Sequence, residues 1–171
     1  MRRSELEAEL ERHHTAAFGW ALSCCGWDRD MAEDVLQESY LKVLDGRARF
    51  GERASFRTFL FAVIRRTAAE ARRRLAIRKV LPLSRLERRA EGRSPSTDPG
   101  ERVLRSESSA QLLAALDVLP QRQRQVLHLV FYEDLSIAGA ADVLGISLGT
   151  ARTHYERGKE RLREVLGSQG G

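Results

Sequence analysis

Apolar residues recur every three or four positions along most of the chain, which is the spacing of one buried face of an α-helix. A first such stretch runs from about Ser4 to Cys25, and it opens with Ser4 and Glu7 at the spacing of a capping box. A second stretch begins near Asp30. No stretch alternates apolar and polar residues for long enough to predict a β-sheet, so we predict an all-α protein.

The segment ASFRTFLFAVIRRTAAEARRR, residues 54–74, predicts a helix with two different faces. An apolar stripe that begins at Phe56 and includes Phe59 has the spacing of a buried face. The opposite face and the residues after it carry an aromatic ring and five arginines: Phe61, Arg65, Arg66, Arg72, Arg73 and Arg74. An aromatic ring can stack on an unpaired base while guanidinium groups bind phosphates, so this face is a candidate nucleic-acid surface.

Residues 83–106 separate two helical regions. Their composition shifts to Arg, Glu, Ser, Pro and Gly, which is typical of a flexible linker. We therefore predict two small helical domains, residues 1–82 and 107–171, joined by this linker. In the second domain the periodicity predicts three or four helices, at about residues 108–119, 120–132, 137–144 and 148–166, with Ser136 and Ser147 as N-caps of the last two.

Positive charge is concentrated in the middle of the chain. The protein has 29 Lys and Arg against 24 Asp and Glu, and residues 57–93 hold 12 of the basic residues but 3 of the acidic ones. This local excess of +9 (12 − 3) attracts polyanions more strongly than an evenly spread +5 would. No apolar run approaches the ~20 residues that span a bilayer, and the N-terminus has no signal-peptide core. We therefore expect a cytoplasmic protein without membrane insertion.

The sequence offers little for covalent chemistry. Cys24 and Cys25 are adjacent, a spacing that rarely closes a disulfide, and on one helix they would lie roughly 16 Å from His13 and His14. These four residues are not expected to share a metal within that helix, although a redox or metal role for the cysteines stays open. Because there is no P-loop, no metal-ligand spacing and no nucleophilic triad, we expect neither an enzyme nor a bound cofactor.

The segment SIAGAADVLGISLGTARTHYERGKERL has the spacing of a helix-turn-helix. Ala141 is the small residue where the two helices cross, Gly145 is the turn residue that takes a positive φ, and Ala151 is the apolar residue of the second helix. The outer face of that helix carries groups suited to phosphates and base edges: Thr150, Arg152, Thr153, Glu156 and Arg157. The spacing therefore predicts duplex DNA binding.

Two segments resemble the domains of bacterial sigma factors. LPQRQRQVLHLVFYEDLSIAGAADVLGISLGTARTHYERGKERLREVL resembles their C-terminal, promoter-binding domain. AEDVLQESYLKV, followed by ASFRTFLFAVIRRTAAEARRR, resembles the N-terminal domain that binds core RNA polymerase and melts DNA. Two such domains with only a short tether between them are similar to the extracytoplasmic-function (ECF, group IV) sigma factors. The resemblance implies a region 2-like domain and a region 4-like helix-turn-helix domain.

The resemblance also implies partners and site residues. A polar ridge on the second helix would dock on the coiled coil of the polymerase β′ subunit: Asp34, Gln37, Glu38 and Leu41. Phe61 and the five arginines after it would bind the minus-10 element, with a loop at about residues 72–81 that holds a flipped base. The five outer residues of the recognition helix would read the minus-35 element, with support from the polymerase β flap. An anti-sigma factor is a further implied partner.

Several positions depart from the family's pattern. Arg66 stands where Asn is frequent, Gly158 follows Arg157 where Ala is usual, and Ala138 and Gly139 stand where Glu is common. The glycines predict a less rigid helix-turn-helix, because Gly in a helix costs about 0.5 to 1 kcal/mol relative to Ala. The alternative hypothesis is a free-standing helix-turn-helix regulator. It would need a dimer interface, and it leaves the N-terminal resemblance unexplained.

Overall fold

The computed structural model describes residues 1–80 and 107–169. The chain divides into two compact units, Met1–Ser96 and Thr97–Gly171. Every regular element in the described residues is a helix, which confirms the all-α prediction. No helix in this part of the chain is both long and apolar enough to cross a membrane. The linker predicted at residues 83–106 lies wholly among residues 81–106, outside the described part.

The N-terminal unit packs its helices around one buried tryptophan. The helices are α1 (Arg3–Arg12), α2 (His14–Cys24), α3 (Arg29–Leu44) and α4 (Phe56–Val80). Helices α2, α3 and α4 contact one another, and α1 contacts α2 and α3. Trp20 on α2 is fully buried, and its indole Nε1–H donates a hydrogen bond to the carbonyl oxygen of Phe61 at 3.0 Å. This bond satisfies the polar end of a large apolar side chain and fixes α2 against α4.

The first predicted helix is two helices in the structure. The chain leaves helical geometry at His13, whose φ of −99° and ψ of 5° separate α1 from α2. The predicted capping box of Ser4 and Glu7 is wrong, because α1 begins at Arg3 and its third residue, Glu5, lies at the capping position. The Glu5 carboxylate accepts a hydrogen bond from the Arg2 backbone N–H at 2.6 Å. A carboxylate so placed satisfies one of the unpaired donors at a helix start.

The C-terminal unit surrounds its last helix. This last helix packs against the three α-helices that precede it in the unit, and the core includes Leu116, Leu119, Leu127 and Leu162. The helix predicted at 120–132 changes geometry half-way, since its last five residues form a π-helical turn. The elements are α5 (Glu107–Asp117), α6 (Gln121–Leu127), the π turn (His128–Tyr132), α7 (Ile137–Leu144) and α8 (Leu148–Gln169).

Both predicted serine N-caps of the helix-turn-helix are confirmed. The Ser136 hydroxyl accepts from the Gly139 backbone N–H at 2.9 Å, and α7 begins at the next residue. The Ser147 hydroxyl accepts from the Thr150 backbone N–H at 3.1 Å at the start of α8. Each bond satisfies a donor that the first turn of a helix leaves unpaired, so the two helices begin at defined residues.

Candidate nucleic-acid and partner interfaces

Helix α3 presents a polar ridge around one exposed leucine. Asp34, Gln37 and Leu41 lie at i, i+3 and i+7, and all three are exposed. Leu41 is 48% exposed, so an apolar side chain lies at the surface among these polar groups. The opposite side of α3 supplies buried residues, including Val35 and Val43. An exposed leucine rimmed by a carboxylate and an amide has the composition of a small protein-binding surface.

Glu38, the fourth residue predicted for this ridge, is engaged within the protein. Its carboxylate Oε1 lies 3.0 Å from Arg74 Nη2 and 3.3 Å from Lys42 Nζ. Partial burial acts to raise the pKa of Glu38, but the hydrogen bonds and charges of Arg74 and Lys42 outweigh it, and the pKa is lowered from its ordinary value. Glu38 is therefore ionised at neutral pH and holds an arginine of α4.

Lys42 joins this pair to a second carboxylate. Its Nζ lies 2.7 Å from Glu70 Oε2 and donates to the Thr67 hydroxyl at 3.2 Å. Arg74 Nη2 also lies 3.9 Å from Glu70 Oε2. We call Glu38, Lys42, Glu70 and Arg74 the α3–α4 ion cluster. Two cations and two carboxylates balance in charge, so the cluster links the two helices without an unpaired buried charge.

The prediction that Phe61 lies on the exposed basic face is wrong. Its side chain is 0% exposed, and its ring stacks on Trp20 with centroids 6.0 Å apart. Arg57 lies over the same ring at 5.5 Å from the centroid. Helix α4 packs against both α2 and α3, so its buried face is wider than one apolar stripe and includes position 61. Phe61 therefore has no surface on which a base could stack.

Phe59, which the apolar stripe placed in the core, is partly exposed instead. Its ring lies 5.4 Å from that of Phe50 and 5.8 Å from that of Phe56, so neighbouring rings hold it at the surface. Ala62, Arg66 and Arg73 follow it at i+3, i+7 and i+14, and both arginines are exposed. We call Phe59, Ala62, Arg66 and Arg73 the outer ridge of α4. It combines an aromatic ring with guanidinium groups, the arrangement predicted for Phe61.

The other predicted minus-10 residues differ in their surroundings. Arg65 is half-buried beside the outer ridge. Arg72 donates from Nη2 to the Cys24 carbonyl oxygen, so it binds the C-terminal end of α2, where cations are stabilised. Arg74 belongs to the ion cluster. The prediction of a loop at about residues 72–81 is wrong for its described residues, since α4 continues to Val80. The sequence from 72 to 80 contains neither Gly nor Pro and can extend the helix.

The helix-turn-helix geometry is confirmed in the C-terminal unit. Gly145 ends α7 in the left-handed region at φ 64°, and Ala141 and Ala151 are buried where the helices meet. Short side chains at these two positions allow the helices to approach closely, and glycine takes the turn without strain. The predicted minus-35 residues are all exposed on α8: Thr150, Arg152, Thr153, Glu156 and Arg157.

Gly158 has a packing role that the sequence did not reveal. It is buried, and a Cβ atom at this position would lie 3.0 Å from Leu127 Cδ1 and 3.3 Å from Gln123 Cβ on α6. The missing side chain therefore lets α8 approach α6. By contrast, Gly149 in the first turn of α8 has no such neighbour within 4 Å. Gly158 contributes to tight packing of the recognition helix, whereas the sequence had suggested only a loss of rigidity.

The cysteines lie inside the N-terminal unit. Both are buried and neither forms a disulfide, and burial raises the pKa of the Cys25 thiol to about 11. A thiol with such a pKa is protonated at neutral pH and is a poor nucleophile and metal ligand. Among the described residues, no group of three or more His, Cys, Asp or Glu side chains is arranged to hold a metal ion.

Comparison with known families assigns each unit separately. The family described as Sigma-70 region 2 matches residues 10–77, and the family described as Sigma-70, region 4 matches residues 115–164. The first match contains the α3 ridge and most of α4. The second contains the whole helix-turn-helix.

Individual relatives cover most of the chain. The ECF RNA polymerase sigma factor SigX of Bacillus subtilis (strain 168) is 30% identical over 140 residues, which are 81% of this chain and 72% of SigX. The RNA polymerase sigma factor CarQ of Myxococcus xanthus is 33% identical over 137 residues, which are 80% of this chain and 75% of CarQ.

Solved structures share the fold. The sigma factor RpoE in complex with the anti-sigma factor NepR from Bartonella quintana has a TM-score of 0.69 at 22% identity, covering 95% of this chain and 96% of that one. CnrH in complex with the cytosolic domain of CnrY has a TM-score of 0.64 at 17% identity, covering 98% and 90%. From the two region matches and the relatives together, the chain belongs to the extracytoplasmic-function (ECF) RNA polymerase sigma factors.

Proposed function

We propose that the chain binds core RNA polymerase, directs it to promoters through minus-35 and minus-10 recognition, and helps to melt the DNA in the cytoplasm. The observation that carries this proposal is the pair of surfaces in the N-terminal unit. A polar ridge with an exposed leucine lies on α3, and an arginine ridge with a partly exposed aromatic ring lies on α4. A free-standing helix-turn-helix regulator would need neither surface. The chemistry is binding and strand separation rather than catalysis of a covalent step.

Transcription with purified components tests the proposal. Core polymerase and the full chain would be incubated with genomic promoter fragments, and run-off transcripts would be compared with those from core alone. We expect new start sites that share sequence elements about ten and thirty-five base pairs upstream, together with weak duplex binding by the chain alone. Tight specific binding by the chain alone, with no new start sites, would support the regulator hypothesis instead.

The α3 ridge is the proposed polymerase contact. Asp34 and Gln37 supply a carboxylate and an amide to a basic partner such as a β′ coiled coil, and Leu41 is an apolar anchor. Asp34→Arg combined with Gln37→Ala should reduce capture of core polymerase while leaving binding to minus-35 duplex unchanged. Glu11→Arg on α1 is the matched control, since it reverses the charge of an exposed residue that is not on α3. If the double variant and the control captured core polymerase equally well, the α3 ridge would not be part of the interface.

The outer ridge of α4 is the proposed minus-10 contact. Phe59 can stack on an unpaired base, and Arg66 and Arg73 can bind the adjoining phosphates, with Arg65 beside them. Extruding a base costs a few kcal/mol, which this binding would offset. Arg66 stands where the family often has Asn, so it is also the position at which we expect an altered base preference. Selection of promoter variants by the holoenzyme, repeated with Arg66→Asn, tests that expectation: an unchanged preference contradicts it.

The exposed face of α8 is the proposed minus-35 contact, with the polymerase β flap supporting the domain. An arginine paired with a guanine discriminates by about 1 to 3 kcal/mol. Arg152→Ala should therefore weaken minus-35 discrimination, whereas Arg163→Ala should lower affinity only slightly and for all sequences alike. Arg163 is exposed on the same helix, and at 1.5 Å per residue it lies roughly 16 Å further along the axis. Equal losses of affinity in the two variants would indicate that Arg152 makes a purely electrostatic contact.

An anti-sigma factor is the proposed regulator. The solved structure of RpoE contains the anti-sigma factor NepR, and its fold covers nearly the whole of this chain. Proteins captured with the full chain would be added to the reconstituted transcription reaction. A captured protein that abolishes transcription from this chain's promoters, while sparing those of another sigma factor, would support the proposal. Full transcription in the presence of every captured protein would contradict it.

A further inference from the structure

Two residues that border different proposed surfaces contact each other. Glu38 lies beside the polar ridge of α3, and Arg74 follows the outer ridge on α4, yet Arg74 Nη2 donates to Glu38 Oε1 at 3.0 Å. We infer that this ion pair couples the two surfaces: a basic polymerase group that takes Glu38 frees Arg74 for a DNA phosphate, and a phosphate that takes Arg74 frees Glu38 for polymerase. The inference rests on the proposed function and adds a regulatory contact within it.

Both members of the pair are accessible to partners. The Glu38 side chain is 32% exposed and that of Arg74 is 56% exposed. A pair so exposed is weak, because water screens the charges and two long side chains must be ordered. Replacing the Glu38–Arg74 pair by contacts with polymerase and DNA therefore costs little free energy of folding. A fully buried pair could not act in this way, since loss of one partner would leave an uncompensated buried charge.

The rest of the ion cluster is arranged to survive the exchange. Lys42, whose side chain is 17% exposed, keeps Glu70 at 2.7 Å and the Thr67 hydroxyl at 3.2 Å when Glu38 is withdrawn. The least exposed charge of the cluster thus stays paired. Arg74 lies 3.9 Å from Glu70, a longer and weaker contact that a phosphate can displace. The structure therefore allows Glu38 and Arg74 to part without disrupting the contact between α3 and α4.

The coupling is reciprocal and modest in size. If bound polymerase raises the affinity for DNA by some factor through this pair, bound DNA raises the affinity for polymerase by the same factor, because the two binding events share one thermodynamic cycle. Exposed ion pairs correspond to factors of roughly two to five. The expected changes are thus small but measurable when matched variants are compared.

DNA binding by the free full chain tests one half of the cycle. The probe is a fluorescent single-stranded oligonucleotide at low ionic strength, measured by anisotropy. Glu38→Gln frees Arg74, whereas Glu33→Gln makes the same charge change on an exposed residue of α3 that pairs with Arg29 within its own helix at 3.2 Å. We expect Glu38→Gln to bind roughly two- to fivefold more tightly than Glu33→Gln. The difference should vanish when both variants also carry Arg74→Gln.

Core polymerase binding tests the other half. Arg74→Gln removes the closer of the two cations on Glu38 and leaves Lys42 at 3.3 Å. It should therefore bind core roughly two- to fivefold more tightly than Arg78→Gln, which removes an exposed arginine of the same helix. Equal affinities in either comparison, or a DNA difference that persists with Arg74→Gln, would overturn the coupling. A chain that supports promoter-specific transcription but shows equal affinities would overturn only the coupling, whereas a chain that binds no polymerase would overturn the proposed function itself.

Discussion

Alanine at two of the three aromatic positions of α4, Phe61 and Phe59, should separate a structural ring from a DNA-binding ring. Phe61 is fully buried between Trp20 and Arg57. Truncation of a buried phenylalanine costs about 3 to 5 kcal/mol, against a total stability of about 5 to 15 kcal/mol for a typical domain. Phe61→Ala should therefore lose a large part of the stability of the N-terminal unit. Its loss of promoter opening would be a consequence of unfolding.

Phe59→Ala should show the opposite pattern. The ring is partly exposed and packs mainly on Phe50 and Phe56, so its removal should cost only about 1 kcal/mol of stability. Stacking of a base on an aromatic side chain is worth about 1 to 3 kcal/mol. The variant should therefore open promoters roughly 5- to 150-fold less well while it stays folded.

The assay uses a probe built into the protein. Both tryptophans, Trp20 and Trp27, lie in the N-terminal unit, so their fluorescence in urea reports its unfolding. With urea m-values of about 1 to 3 kcal/mol per molar, Phe61→Ala should move the midpoint by at least about 1 M. Promoter opening would be followed with 2-aminopurine in the minus-10 element, using holoenzyme below the unfolding range. A Phe61→Ala variant of wild-type stability that cannot open promoters, or a Phe59→Ala variant that opens them normally, would refute the reasoning.

Three further predictions concern packing, thiol chemistry and charge. Gly158→Ala should destabilise the C-terminal unit by about 1 kcal/mol, since overpacking outweighs the gain in helix propensity. Gly149→Ala should stabilise the same unit. Far-UV circular dichroism during thermal unfolding distinguishes the two variants. Cys25, with its pKa of about 11, should resist maleimide at pH 7.5 unless urea is present, and rapid native labelling seen by mass spectrometry would contradict its burial. Arg74→Gln should raise the lowered pKa of Glu38 in a carbon-13 titration. The pKa of Glu38 is lower in the folded protein than in the unfolded protein, so its ionised form stabilises the fold. This stabilisation is fully present above the unfolded-state pKa and is lost as the pH falls through the folded-state pKa.

The helix-turn-helix could be predicted closely because its rules are local. A positive φ at Gly145, small residues at two fixed positions and serine caps each depend on a few neighbours in sequence, and all are present in the structure. The break at His13 could not be predicted, since the periodicity of apolar residues continues across it and neither Gly nor Pro marks it. The extension of α4 to Val80 could have been expected from the same absence of Gly and Pro between residues 72 and 80.

The exchange of roles between Phe59 and Phe61 shows what periodicity alone cannot supply. A stripe of apolar residues gives the direction of a buried face, but its width depends on how many helices pack there. If only one helix packed against α4, it would bury the stripe that includes Phe59 and leave Phe61 exposed. With α2 and α3 both in contact, the centre of the buried face moves toward Phe61, and Trp20 completes its surroundings from a position about forty residues earlier in the sequence.

The charge of the basic segment is likewise not a measure of its binding surface. Residues 57–93 carry a net +9, yet among the described arginines Arg72 binds the end of α2 and Arg74 is paired with carboxylates. Arg66 and Arg73 are the exposed members of the outer ridge. The long-range attraction of DNA depends on all these charges, whereas close phosphate contacts depend on the guanidinium groups that can leave their present partners. The basic segment can therefore attract DNA before polymerase binds. The proposed release of Arg74 would raise the affinity of this segment for DNA only once polymerase and DNA are both present.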